Sequence, residues 1–65
     1  MIGFFKPKID NGYTYCALCF GHDAINNKTF VVYHPVDNEH CIFVMDADNF
    51  QDRFTPLTQP PRPQP

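Results

Sequence analysis

Thr29 to Phe50 reads TFVVYHPVDNEHCIFVMDADNF. Thr29 to His34 gathers β-branched and aromatic residues, which suit a pleated, half-buried strand. Phe30 and Val32 fall on one face of it, Val31 and Tyr33 on the other. Pro35 ends the run because it has no N–H for a ladder. Asp37-Asn38-Glu39 reads as a turn. Cys41 to Met45 is a further strand, with Ile42 and Val44 on one side and Cys41, Phe43 and Met45 on the other. Asp46 suits the N-cap of a short helix running to about Phe54, since its carboxylate can accept from free backbone N–H groups. Asp48 then favours the positive end of the helix dipole. Phe50 and Phe54, four residues apart, would dock on the core together.

Working back from that stretch, Tyr13 to Phe20 (YTYCALCF) predicts a strand that pairs with it. Strict alternation puts Thr14, Cys16, Leu18 and Phe20 on one face and Tyr13, Tyr15, Ala17 and Cys19 on the other. Gly21 to Lys28 is a polar hairpin loop with Asn26-Asn27 at its tip, and Asp10-Asn11-Gly12 is a turn, because Asn and Gly tolerate positive φ. Ile2, Phe4 and Phe5 form a short first strand or an arm laid over the core, with Pro7 at an edge or a strand end. Thr58 to Pro65 (TQPPRPQP) is half proline, which predicts a disordered, extended polyproline-type tail. The domain boundary is therefore set at residue 57, with 1–57 a small β-domain and 58–65 its tail. The fold class expected is all-β: a small barrel or a curled antiparallel sheet with one short C-terminal helical turn.

Sixty-five residues make one small domain, whose core is marginal and rests on its aromatics, seven Phe and three Tyr. The formal net charge is −2, and five of the seven acidic residues lie between Asp37 and Asp52. A sequence-independent nucleic-acid binder needs a basic stripe to release counterions, so direct nucleic-acid binding is not expected. No apolar run approaches the length of a membrane span. MIGFFKPK lacks the pattern of a secretory signal, and three cysteines are an odd count. Both point to a reducing cytoplasm and free thiols.

Gly12, Tyr15 and Leu18, then Val31-Val32-Tyr33, Phe43-Val44 and Phe50, carry a resemblance. From Gly12 to Phe50 the chain resembles a family of small bacterial and phage domains of unassigned function. Their pattern runs approximately G-x-x-Y-x-V-L-G-I-A-R-H, a variable loop, and V-V-Y-R-A-L-Y-G-D-x-G-L-W-V-R-P-L-x-M-F. Phe43 stands where that family has Trp, and its basic positions are held by His22, His34 and Met45. The shared positions are those of the hydrophobic framework. The resemblance implies a compact SH3-like fold and an accessory protein of a phage or bacterium, acting in the host cytoplasm.

Cys16-Ala17-Leu18-Cys19 has the C-x-x-C spacing of a zinc knuckle, for which His22 and Cys41, or His34 and His40, would supply further ligands. Against this, residues three apart in a strand face opposite sides, and adjacent His40 and Cys41 do not easily converge on one ion. Free thiols are the reading taken, with no cofactor. A redox role needs the first Cys at a helix start, and nothing near Cys16 reads as one. Asp46, Asp48, Asn49 and Asp52 lack the spacing of a calcium loop and are better explained as a helix cap and a solvated acidic face. Pro60-Pro61-Arg62-Pro63 contains the P-x-x-P pattern of peptides that aromatic grooves recognise.

No residue set stands at a spacing that catalysis requires, so the expectation is a protein that is not an enzyme. Apolar residues on both faces of the central strands mean that the second face is either covered by the N-terminal arm and short helix or left as a contact surface, for a partner or for self-association. Tyr13, Tyr15, Tyr33 and Phe43 are its aromatic candidates, with Lys28, Asp46 and Asp48 as charged ones. The function expected is stoichiometric inhibition of a host protein through an apolar-aromatic face with an acidic rim. The alternative is an oligomer that sequesters a nucleotide immune signal, its tyrosines stacking the base and Lys28 or Arg53 meeting phosphate. A further alternative is a zinc-stapled interaction domain.

Overall fold

The computed structural model describes residues 2–57, and the expected tail lies outside them. Its elements are β1 (Gly3–Pro7), β2 (Tyr15–His22), β3 (Thr29–Pro35), β4 (Phe43–Asp46), α1 (Ala47–Arg53) and β5 (Phe54–Pro56). The strands form one sheet in the order β4-β3-β2-β1-β5, every neighbouring pair antiparallel. This is the curled antiparallel sheet expected, with its short helix between β4 and β5. The ladder does not close, so the sheet is open and not a completed barrel. It is nonetheless strongly curved. In a flat sheet β3 and β5, three ladder steps apart, would lie about 14 Å from each other. The Tyr33 and Phe54 rings on those strands meet with centroids 5.4 Å apart.

Helix α1 begins where the sequence predicts. Asp46 keeps extended backbone angles, and its side chain accepts a 2.7 Å hydrogen bond from the Asn49 N–H. One face of α1 delivers Phe50 into the sheet's concave side. Phe50 stacks on Phe54 at 4.4 Å and meets Phe5 and Tyr33 edge-on at 4.9 and 5.2 Å. Ala17, Val31, Tyr33, Phe50 and Phe54 make the buried core, with Phe5, Tyr15, Met45 and Ala47 packed against it. Edge-on and stacked aromatic pairs of this kind each add about 0.5–1.5 kcal/mol beyond area burial.

Three expectations need correction. First, of the two readings of the N-terminal segment the short first strand holds, and the arm laid over the core does not. The segment enters the sheet as an inner strand between β2 and β5, and Pro7 is its last residue, opposite Phe54. Second, Phe54 caps the helix as expected, its N–H donating to the Phe50 carbonyl, but it also opens an unexpected strand, β5, which forms one edge of the sheet. Third, β2 carries a bulge. Ala17 pairs with Tyr33 but Cys19 pairs with Val32, so Leu18 is the extra residue. The slip exchanges the faces beyond it. Phe20, opposite Val31, joins the core side with Ala17, and Cys19 joins Cys16 on the other side.

That other side has no helix. Phe4, Cys16 and His34 stand in one row across it, and Cys19, Val32 and Val44 in the next. Cys16 is buried there, but Val44 is 62% exposed.

Candidate functional site

The loop from Lys8 to Thr14 is held by its own side chains. Asp10 Oδ1 accepts from the Gly12 N–H at 2.8 Å and Asn11 Oδ1 from the Tyr13 N–H at 3.0 Å. Gly12 takes φ 84°, a conformation that costs glycine nothing. These Asx turns fix Tyr13, and the Asn11 amide donates to the Tyr15 hydroxyl at 3.0 Å. Across the sheet, the turn after Pro35 is fastened to the same loop by a 2.8 Å bond from the Val36 N–H to the Thr14 carbonyl. Asn38 closes that turn, donating to the Pro35 carbonyl at 3.0 Å and accepting from the Cys41 and His40 N–H groups.

Between these two loops lies an open hollow of about 490 Å³. Tyr13, Tyr15 and Phe43 supply its rings, Pro35 part of its wall, and Asp37, Asn38 and Cys41 its polar side. Tyr13 is 50% exposed and Phe43 is 42% exposed. Tyr33 is buried behind them. Its centroid lies 5.7 Å from Tyr15 and 5.5 Å from Phe43, and Tyr13 lies 6.4 Å from Tyr15. The four aromatic residues singled out in the sequence therefore form one continuous arc, three rings accessible and one supporting them. Burial raises the Tyr33 phenol above its ordinary pKa; the nearby Tyr15 pushes the same way and Arg53 pulls it back. Tyr33 thus belongs to the core more than to the contact surface, a correction to its place among the binding residues.

The charged candidates lie elsewhere. Lys28, Asp46 and Asp48 gather in a separate hollow of about 310 Å³ at the opposite end of β3. Six residues of strand, roughly 20 Å, part the two places. Arg53 lines a third hollow with Lys8 and Asp52. Neither Lys28 nor Arg53 lines the aromatic hollow, although Arg53 is near enough to Tyr33 to act on its phenol, and Lys28 has two carboxylates for company. The acid that does border the aromatic hollow is Asp37, which the sequence marks only as a turn residue. Register alone could have found it, through the pairing of Tyr15 with Pro35.

The cysteines correct one argument without assembling a site. The bulge sets Cys16 and Cys19 on one face, where strict alternation separates them. Yet His22 stands at the far end of β2 and Cys41 at the aromatic hollow. Among the described residues no three His, Cys, Asp or Glu side chains converge as metal ligands. Cys16 is a buried free thiol, Cys19 an exposed one and Cys41 half-buried. Also among the described residues, no helix is long and apolar enough to cross a membrane.

Comparison with known protein families, with curated proteins and with solved structures finds no match to this chain.

Proposed function

We propose that the chain is a non-catalytic binding module that holds a partner protein stoichiometrically through the hollow between the Lys8–Thr14 loop and the turn after Pro35. The observation that carries this reading is the arc of Tyr13, Tyr15 and Phe43, exposed at its ends and backed by buried Tyr33. Large rings held in place before binding lose little conformational freedom on contact, and tyrosine is enriched among the residues that dominate interface energies. The hydrogen bonds within both loops favour such a prearranged surface. Asp37 gives it an acidic edge, which suits a partner presenting a basic residue. Inhibition of a host protein by steric cover, as the resemblance to phage accessory domains implies, is the biological form of this proposal.

The test compares two altered chains in co-purification from the native host, followed by native mass spectrometry. Tyr13→Ala with Phe43→Ala removes the exposed rings, and Val44→Asp alters the helix-free sheet face. A partner bound in fixed ratio should be lost from the first and kept by the second. The opposite pattern would move the contact to the sheet face and end this proposal.

A further inference from the structure

The geometry points to a proline-rich, arginine-bearing segment as the ligand of the aromatic hollow, and to the Thr58–Pro65 tail of a second copy of this chain as its occupant. This rests on the reading of the hollow as a binding surface and names what fills it. Extended polyproline segments dock on grooves lined by aromatic rings, because their rings pack flat on aromatic faces and their backbone is already ordered. The hollow offers Tyr13, Tyr15 and Phe43 in one arc that is open to solvent. Asp37 stands at its edge and Asn38 beside it, an acceptor for a cation and a polar group for backbone. The tail supplies the complement: Pro60, Pro61 and Pro63 around Arg62. Among the chain's five Lys and Arg, Arg62 is the one flanked by prolines on both sides.

The direction of β5 argues for a second copy. From Phe54, opposite Pro7, the strand runs to Pro56, opposite Phe5, and the Leu57 N–H donates to the Phe4 carbonyl. The chain is then moving toward the Ala17 end of β1 and away from the Tyr13 loop. Only Thr58 and Gln59 precede the first proline, and each proline fixes its own φ and biases the residue before it toward extended backbone. Turning back to the same molecule's hollow opposes those restrictions, whereas a tail arriving from another molecule meets none of them.

The experiment uses the full chain, ¹⁵N-labelled, carrying Arg62→Glu so that its own tail is disabled. A synthetic peptide of residues 57–65 is titrated into it and the amide spectrum followed. Saturable shifts at Tyr13, Asp37 and Asn38 are expected, weakened roughly tenfold when the peptide carries the same Arg62→Glu change. Asp37→Arg in the labelled chain should abolish the shifts, and a peptide with Arg62→Asp should restore them. Absence of shifts with the unaltered peptide overturns the proposal but leaves the partner-loss test of the hollow standing. A dilution series of the unaltered full chain decides the second copy. Hollow amides that move with concentration support it. Amides that differ from those of the Arg62→Glu chain but do not move on dilution mean docking within one molecule, which overturns it.

Discussion

Tyr33 shows what a single position does here. It pairs with Ala17 and Phe43 across the sheet and touches the rings of Tyr15, Phe43, Phe50 and Phe54. Its folded-state pKa is raised by burial, so the folded protein resists ionising a group that the unfolded chain ionises near 10.0. The contribution to stability is therefore complete below that value and is lost as pH rises through the folded pKa. Urea midpoints measured from pH 8 to 11 should fall at the alkaline end, and Tyr33→Phe should flatten that fall. Phe50 is the second such position. Truncation to alanine removes a buried ring at a cost of about 3–5 kcal/mol. A chain of this length has roughly 3–10 kcal/mol in total. Phe50→Ala should leave a substantial unfolded fraction at 25 °C by circular dichroism, and a two-state chain with unchanged melting would contradict the packing described. Phe50 was legible in the sequence as a core residue, paired with Phe54 four positions on, whereas Tyr33 was read there as part of a contact surface. The split among the aromatics, Tyr33 inward and Tyr13 and Phe43 outward, was not legible, since the pattern is apolar on both faces.

At the scale of elements, α1 and the β2–β3 loop are set by local hydrogen bonds that the sequence announces. Asp46→Ala removes the helix cap and should cost about 1 kcal/mol. For a domain this small that is a melting temperature lower by about 4–8 °C, and Asp46→Asn should recover most of it. In the loop, Asp23 accepts from the Ile25 and Asn26 N–H groups and from the Asn26 amide, while Asn27 takes φ 59°. The Ile25 N–H first, then Asn26, lower the Asp23 pKa below its ordinary value of 3.8, with Lys28 adding to them against a small burial effect. A depressed carboxylate stabilises above its unfolded pKa and loses that contribution as pH falls through the folded one. Asn26 amide signals should titrate with a midpoint below the ordinary value of 3.8. The bulge and β5 were the elements out of reach. YTYCALCF has no polar side to betray a one-residue slip. Phe54-Thr55-Pro56 is too short to show a period and ends in a residue that strands tolerate only at their margins.

For the whole molecule the question is why a sheet this small has two apolar faces and covers one. The curl brings β5 over β3 and lets α1 seal the concave side with Phe50. The N-terminal strand, which on sequence alone was a candidate cover for the other side, is used to join β2 to β5 instead. The convex face is thus left to solvent or to a contact, and a matched pair of charges tells its state. Val31, 3% exposed and paired with Met45, sits under the helix side, while Val44, paired with Val32, is on the convex side. Val31→Lys buries an unpaired ammonium and should prevent folding. Val44→Lys adds a charge at an exposed edge strand and should change the unfolding free energy from urea titration by no more than about 0.5 kcal/mol. Edge charges also deter strand-to-strand association, so the variant should if anything stay monomeric at higher concentration. Measuring both variants at two protein concentrations separates the cases. A Val44→Lys chain that loses stability only where the parent is concentrated has lost an interface between copies, and the convex face is then a covered surface in the working protein. One that matches the parent at both concentrations shows that copies of the chain do not associate through that face.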